Sequence, residues 1–320
     1  MSQIDYINNG FKNKNCSIDI TTKCTNQCPS CMRSIYKFKT SLIPGSDITL
    51  EEFDDLTNFF KEISFNGAVG DPVSHPKLPE LLKMAYNKNV HINISTAVSS
   101  KSIDFYRRCW DAHPKARWIF GIDGTPEISF VYRINQDGIK LFDIMKEAVE
   151  RKTLDVCWQY IVFSYNENKI ENAIQMAKDI GVKLKINHTK RIPTEWYRPK
   201  DDVFTKTNKK YETKFEPKCL NRDRDPYIDT EKQVLPCCWL DKNDMSGPLE
   251  KLKDVSLNLN NNKIKDVVTS KIWTDFFNLI TKDPNNAPSF CKDHCSTSRI
   301  NHSRTTTFFR SDGTTYSPDL

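Results

Sequence analysis

Three cysteines stand within eight residues near the start of the chain: Cys24, Cys28 and Cys31, spaced C-x3-C-x2-C in "KCTNQCPSCMR" (23–33). Thiolates this close can bind Zn²⁺ or an iron–sulfur cluster. Zinc fingers usually pair their ligands C-x2-C with a second pair further on. Here three crowd one segment, and no fourth Cys or His falls inside it. A cluster held by three thiolates keeps one metal position open to another ligand, which suits chemistry rather than structural support. The spacing favours iron–sulfur over zinc and leaves zinc as the alternative.

A second set, Cys219, Cys237, Cys238, Cys291 and Cys295, reads C-x17-C-C-x52-C-x3-C. Four thiolates from two distant pairs suit a closed, saturated site, for iron–sulfur or for zinc. Cys16, Cys109 and Cys157 stand alone and read as buried small hydrophobes. The six histidines form no H-x3-H or H-E-x-x-H pattern. His75 follows a glycine-rich stretch and His294 sits between two cysteines of the second set, and for both a surface or packing role is expected. No P-loop, G-x-S-x-G or G-x-G-x-x-G occurs.

Those residues need elements to carry them. Strand-like runs at 16–22, 64–67, 90–96, 117–123, 156–163 and 182–188 alternate with helical patterns at 49–63, 78–88, 101–110, 138–152 and 168–181. Thr49 and Glu52 make a capping box, and Gly181 ends the last helix. Six strands alternating with helices argue for a parallel α/β sheet, with its chemistry in the loops after the strands. The first cysteine set falls directly after the first strand. A polar, Lys-rich stretch at about 189–218 reads as a linker, a hairpin is expected at 227–240, and a helix at 270–282. The 299–310 stretch is locally basic and reads as a solvated tail.

Composition excludes some classes. In 320 residues with 38% hydrophobic and 28% charged, the longest near-apolar run, Val156 to Phe163, is broken by Gln159 and too short to span a bilayer. No apolar export signal opens the chain, so a soluble, cytoplasmic protein is expected, with its clustered cysteines on metal rather than in disulfides. A net charge of +6 permits an acidic partner without requiring one.

The C-x3-C-x2-C segment after a first strand resembles the signature of the radical S-adenosylmethionine (radical SAM) enzymes. The resemblance spans about residues 16 to 296. It implies a partial (β/α)6 TIM-like barrel over residues 1–190, a linker over 191–218, a smaller α+β Twitch-like domain over 219–298, related to the SPASM domain, and the basic tail from 299. It also implies that SAM chelates the open iron of a [4Fe–4S] cluster on Cys24, Cys28 and Cys31. Reductive cleavage of SAM to a 5′-deoxyadenosyl radical then abstracts hydrogen from a substrate.

Further stretches carry the same resemblance. "FNGAVGDP" (65–72) is similar to the family's glycine-rich motif and implies SAM contacts at Gly67, Gly70 and Asp71, where glycine lets backbone approach a ligand closely. "ISTAVSS" (94–100) offers Ser95 and Thr96, which helix capping would explain equally well. "FGIDGTPEISFVYRINQDG" (120–138) is similar to a stretch of the branch with extra clusters and implies Arg133 at the SAM carboxylate, a task its planar fork suits; "WQYIVFSYNENKIENAIQMAKDIGV" (158–182) resembles the same branch and implies Gln159 facing the ribose. Ser30 stands where many members have an aromatic residue near the adenine.

"YIDTEKQVLPCCW" (227–239) resembles the auxiliary-domain hairpin, with Lys232 where a glycine is usual. That implies one auxiliary [4Fe–4S] cluster on Cys219, Cys237, Cys291 and Cys295, with Cys237 preferred over Cys238. The expected substrate is a peptide, a protein or a small molecule, oxidised or cross-linked, with an electron donor such as a flavodoxin or ferredoxin. The first cluster lies only about two dozen residues into the chain, leaving no room ahead of it for a winged-helix peptide-recognition domain. One alternative is a zinc-bound nucleic-acid-binding or interaction protein using basic residues at 205–224 and 299–310 with Phe204, Tyr211, Phe308 and Phe309. Another is a radical SAM enzyme acting on RNA.

Overall fold

The computed structural model describes residues 15–34, 42–189, 191–200, 215–217, 219, 225–241, 245, 247–295, 304–310 and 314–316. Six parallel strands, β1 (Asn15–Ile18), β2 (Glu62–Phe65), β3 (His91–Thr96), β4 (Arg117–Gly121), β5 (Asp155–Ile161) and β6 (Lys183–Thr189), pair in chain order. Between them run α1 (Leu50–Phe59), α2 (Leu78–Asn87), α3 (Ile103–Ala112), α4 (Gly138–Glu150) and α5 (Ile170–Ile180). This is the parallel α/β sheet that the alternation implies, in the partial-barrel form that the resemblance implies.

The capping box forms as read: Glu52 N donates to Thr49 Oγ1 at 3.1 Å, and Thr49 N donates to Glu52 Oε2 at 2.7 Å. The helix ends sooner than the sequence suggests. Phe60 is already extended, and Glu62 and Ile63, read as helical, pair with β1 on one side and β3 on the other. Two ladders outweigh the helical tendency of "FFKEI", because each unpaired buried backbone group would cost more than local propensity supplies.

The strands separate two environments by alternation. Ile18, Ile63, Ile94, Phe120, Trp158 and Ile186 are buried in the core beneath the helices. Phe142 of α4 meets Trp158 edge-on at 5.4 Å. The opposite, inner face is polar and half-buried: Asn93 donates to Glu62 Oε1 at 2.7 Å and Ser64 Oγ at 3.1 Å, and Lys183 pairs with Asp155 at 2.7 Å.

The sheet extends past the six strands at both edges, with β7 (Tyr227–Ile228) and β8 (Val234–Leu235) beyond β1 and β9 (Arg304–Phe309) and β10 (Thr315–Tyr316) beyond β6, in the order β10-β9-β6-β5-β4-β3-β2-β1-β7-β8. β7 joins β1 in parallel, and β8 folds back on it, forming the expected hairpin. Lys232 in its turn adopts φ +70°, a conformation glycine takes more easily, and Gly45 at φ +94° packs against Thr230. The Lys232 Nζ pairs with Glu52 Oε1 at 2.5 Å, docking the hairpin on the α1 N-terminus. Three further helices follow, α6 (Ile264–Thr269), α7 (Lys271–Lys282) and α8 (Ser289–His294).

The described part of the 299–310 stretch, residues 304–310, is not a free tail. Arg304–Phe309 forms β9, antiparallel to β6 through six register pairs, and Thr315–Tyr316 forms β10. A run of Thr and Phe has strong β-propensity, and the β6 edge would otherwise leave a row of backbone donors and acceptors unpaired. Phe308 is 9% exposed and Phe309 packs on the core, so neither is available to stack on bases. Residues 205–214, with Tyr211, and Phe204 lie outside the described residues. No described helix is long and apolar enough to cross a membrane.

Candidate functional site

The first cysteine set lies on the loop leaving β1, at the end of the strands where the α/β pattern places the chemistry. Asp19 opens this loop, and its carboxylate accepts from the backbone N–H of Ala68 (2.8 Å) and Val69 (2.9 Å), fixing the glycine-rich turn beside it. Asp71 N donates to Lys23 O at 2.8 Å, binding turn to loop again. Gly70 is required by this approach, since a Cβ there would stand 2.0 Å from the Thr21 carbonyl oxygen. Gly67 is required by its φ of +62°.

The three cysteines share one loop, and Cys28 and Cys31 lie near enough to Cys24 to act on its thiol electrostatically. Cys31 N donates to Cys28 O at 3.1 Å, and the Cys31 Sγ approaches the Ala68 carbonyl at 3.8 Å. Burial, then Asp71 and the neighbouring thiols, pushes the Cys24 thiol up to about 12. Burial raises Cys28 as well, with the Arg133 guanidinium pulling the other way. Asn26, between Cys24 and Cys28, donates to Ala97 O at 2.8 Å and ties the loop to the end of β3.

Arg133 arrives from the turn after β4. Its Nε donates to Asp123 Oδ2 at 2.7 Å, and its Nη1 lies 3.9 Å from Cys28 Sγ. The paired carboxylate raises the Arg133 pKa despite burial. Gly121 leaves the guanidinium its space, since a Cβ there would be 3.2 Å from Nη2. Asp123 is fully buried and also accepts from Ile161 N at 2.8 Å.

The other residues expected to contact SAM divide into two groups. Asp71 and Thr96 reach the rim but bond to each other: Thr96 Oγ1 donates to Asp71 Oδ1 at 2.8 Å and accepts from Val98 N at 3.2 Å. Asp71 accepts in addition from Ala97 N (2.8 Å) and Val73 N (3.0 Å), while burial raises its pKa. Ser95 and Gln159 lie deeper on the inner face, both half-buried. Gln159 shares its face with Ile161, which packs with Cys28. His75 packs as expected: its ring Nδ1 accepts from Lys77 N, so its Nε2–H donates to Ile48 O at 3.0 Å.

Sequence reasoning passed over Asp19, Asp123 and an aromatic group against Cys28 and Cys31. Tyr132 stacks on Phe163 at 4.3 Å, with Tyr165 and Tyr197 packed around them. Tyr197 and Trp196 belong to the stretch read as linker, which makes a 3-10 turn over Glu195–Tyr197 beside the site, with Trp196 60% exposed. Asp123 was visible within "FGIDG", but nothing local signals that its partner is Arg133, ten residues on.

In the second set, Cys219, Cys237, Cys291 and Cys295 line one small apolar pocket together with Leu240 and Phe276. Cys238 is exposed and is not among the lining residues. Burial raises the Cys219 thiol first, and the other three thiols add to it. Among the described residues no three His, Cys, Asp or Glu side chains are grouped tightly enough for a single bound ion. The His294 side chain lies outside what is described.

No protein-family model and no curated protein matches the chain. Solved structures do share its fold. SuiB from Streptococcus suis bound to S-adenosylmethionine superposes with a TM-score of 0.58 at 10% identity, over 87% of this chain and 71% of that one. SuiB bound to the precursor peptide SuiA gives 0.54 at 11%, over 82% and 65%. Native anSMEcpe with bound AdoMet gives 0.52 at 12%, over 83% of each chain. At such identities the likeness is one of fold.

Proposed function

We propose that the chain is a radical SAM enzyme that abstracts hydrogen from a peptide substrate and carries one auxiliary iron–sulfur cluster of the Twitch type. The observation that carries this reading is the position of Cys24, Cys28 and Cys31 on the one loop after β1, braced by the Gly67–Gly70 turn and flanked by Arg133. Three soft thiolates with no fourth protein ligand among them fit a [4Fe–4S] cluster with one open iron. When bound, the cluster supplies the electron that cleaves SAM to methionine and a 5′-deoxyadenosyl radical.

The chain's own residues bind and orient. Gly67 and Gly70 give a ligand access to backbone, and the Arg133 guanidinium, held by Asp123 through Nε, keeps Nη donors for a carboxylate. Ser95 and Gln159 offer polar contacts from the inner face. Tyr132, Phe163 and Tyr197 exclude water beside Cys28, as a reactive radical requires. For the auxiliary site, the four thiols that line one apolar pocket are soft ligands suited to a cluster. SuiB, which shares the fold, has been solved with a precursor peptide, and exposed Phe130, Ile134 and Trp196 offer apolar contacts to a similar ligand.

SAM binding at an open iron changes the EPR spectrum of the reduced cluster. Anaerobically reconstituted protein is expected to show that change, and Arg133→Ala to need at least about tenfold more SAM, matching loss of a charge-assisted pair worth about 1.5–3 kcal/mol. A spectrum indifferent to SAM would overturn the reading.

A further inference from the structure

Arg133 reaches a cysteine of the first set directly. Its Nη1 stands 3.9 Å from Cys28 Sγ, an N–H to sulfur contact from a permanently charged donor. The two cations of the cysteine loop itself turn elsewhere. Lys23 pairs with Asp47 at 2.5 Å, and Arg33 Nη1 donates to the Thr22 carbonyl.

Both partners of this contact are fixed through their backbones. Gln27 N, one residue before Cys28, donates to Ile134 O, one residue after Arg133, at 3.0 Å. Gln136 anchors the turn that carries Arg133, its Nε2 donating to Ala97 O at 2.7 Å and to Gly121 O at 2.9 Å. Asp123 holds the guanidinium at Nε, 2.7 Å away, which sets the plane of the fork. Water is largely kept out. The Arg133 side chain is 15% exposed and that of Asp123 0%, and Tyr132, which packs with Cys28, has its ring 5.6 Å from the guanidinium carbon. Charges placed so deeply are screened little.

Hydrogen bonds to the ligand sulfurs and the local net charge set the potential of an iron–sulfur centre. Reduction adds one negative charge to the cluster and its thiolates, so a guanidinium against a thiolate stabilises the reduced form more than the oxidised form. Asp123 offsets part of that charge, but Arg133 acts on Cys28 more strongly than Asp123 does. We propose, on the reading that Cys24, Cys28 and Cys31 hold a [4Fe–4S] cluster, that Arg133 tunes its redox potential: acting through Cys28 Sγ, it raises the potential, and Asp123 limits the rise.

The step is a plain one-electron transfer. A one-electron donor, dithionite in the test, is oxidised and the cluster is reduced, with no bond formed or broken at Arg133. The guanidinium keeps its proton throughout, since arginine does not titrate in proteins. Arg133 is also the expected partner of the SAM carboxylate, so its effect on the potential is read without SAM.

EPR-monitored redox titration of the anaerobically reconstituted full chain decides this, following the reduced signal that is lost in Cys24/Cys28/Cys31→Ala. Arg133→Met removes the charge and the donors, and at a fixed poise the reduced-to-oxidised ratio is expected to fall at least tenfold, a midpoint about 59 mV more negative for one electron. Arg133→Lys restores the charge and should recover part of that fall. Asp123→Asn removes the offsetting charge and should move the midpoint the other way, a pair of opposite shifts that a merely structural role would not produce. An unmoved midpoint in Arg133→Met, or an equal fall in Arg133→Lys, overturns the proposal and leaves the cluster reading standing. A downward shift in Asp123→Asn overturns it as well, and if that variant does not fold, the two Arg133 variants decide alone. A first set that takes up no iron overturns the cluster reading and the proposal together.

Discussion

Replacing Gly70 by alanine tests how the cysteine loop and the glycine-rich turn are held together. Gly70 is not in the left-handed region, so the substitution acts through space. The new methyl would lie 2.0 Å from Thr21 O, 2.7 Å from Thr21 C and 3.0 Å from Lys23 N, all backbone atoms that cannot rotate away. Ordinary contact begins near 3.4 Å, so turn and loop must part by roughly 1.4 Å. Overpacking of this kind costs about 1–3 kcal/mol. The parting also breaks the 2.8 Å bond from Asp71 N to Lys23 O, adding about 1 kcal/mol. At about 2 °C per kcal/mol for a chain this long, Gly70→Ala should melt about 4–8 °C below the parent chain. Gly181→Ala is the control: its φ is +72°, but nothing lies within 4 Å, so only backbone strain of about 1 kcal/mol is at stake. Differential scanning calorimetry compares them. A Gly70→Ala loss no larger than that of Gly181→Ala would refute the close-approach argument.

Three other outcomes follow from the same contacts. Asp123→Ala leaves Arg133 buried without its carboxylate and should cost about 3–5 kcal/mol in chemical denaturation, where a loss below about 1 kcal/mol would contradict the pairing. Asp19 binds its proton more tightly folded than unfolded, its pKa rising from 3.8 to about 6 through burial. Its favourable contribution is therefore complete below about pH 4 and lost as pH climbs to about 6, a swing of about 3 kcal/mol. Urea unfolding across that window should show the swing as a difference between the parent chain and Asp19→Asn, because Asp225, also held up at about 6, is present in both; parallel curves would count against it. Truncation after residue 300 removes β9 and bares the β6 edge, and should lower the melting temperature and promote association by light scattering. A monodisperse product of unchanged stability would show that β9 contributes nothing.

Much of the site was legible because local chemistry announced it. The C-x3-C-x2-C spacing and the capping box at Thr49 are short-range signals, and the structure sets each where alternation of strand and helix places it. The glycines at 67 and 70 were legible as a turn, yet the reason for Gly70 is Thr21, far away in sequence. Long-range partners were not legible for the same reason. Asp19 contacts Ala68, Asp123 holds Arg133, and Lys232 pairs with Glu52 across 180 positions, none of which a window of sequence contains. β9 was misread because Thr and Phe beside Arg look like a basic tail until an unpaired strand edge is there to receive them.

Cys24, Cys28 and Cys31 must hold a cluster that cleaves SAM if the proposed function is right. The chain is reconstituted anaerobically with iron and sulfide, its iron counted, and 5′-deoxyadenosine assayed after adding dithionite and SAM. Two [4Fe–4S] clusters predict roughly eight irons per chain together with 5′-deoxyadenosine. In Cys24/Cys28/Cys31→Ala the count should fall to about four and 5′-deoxyadenosine should vanish. Tightly bound zinc, no iron uptake and no 5′-deoxyadenosine from the parent chain would contradict the account.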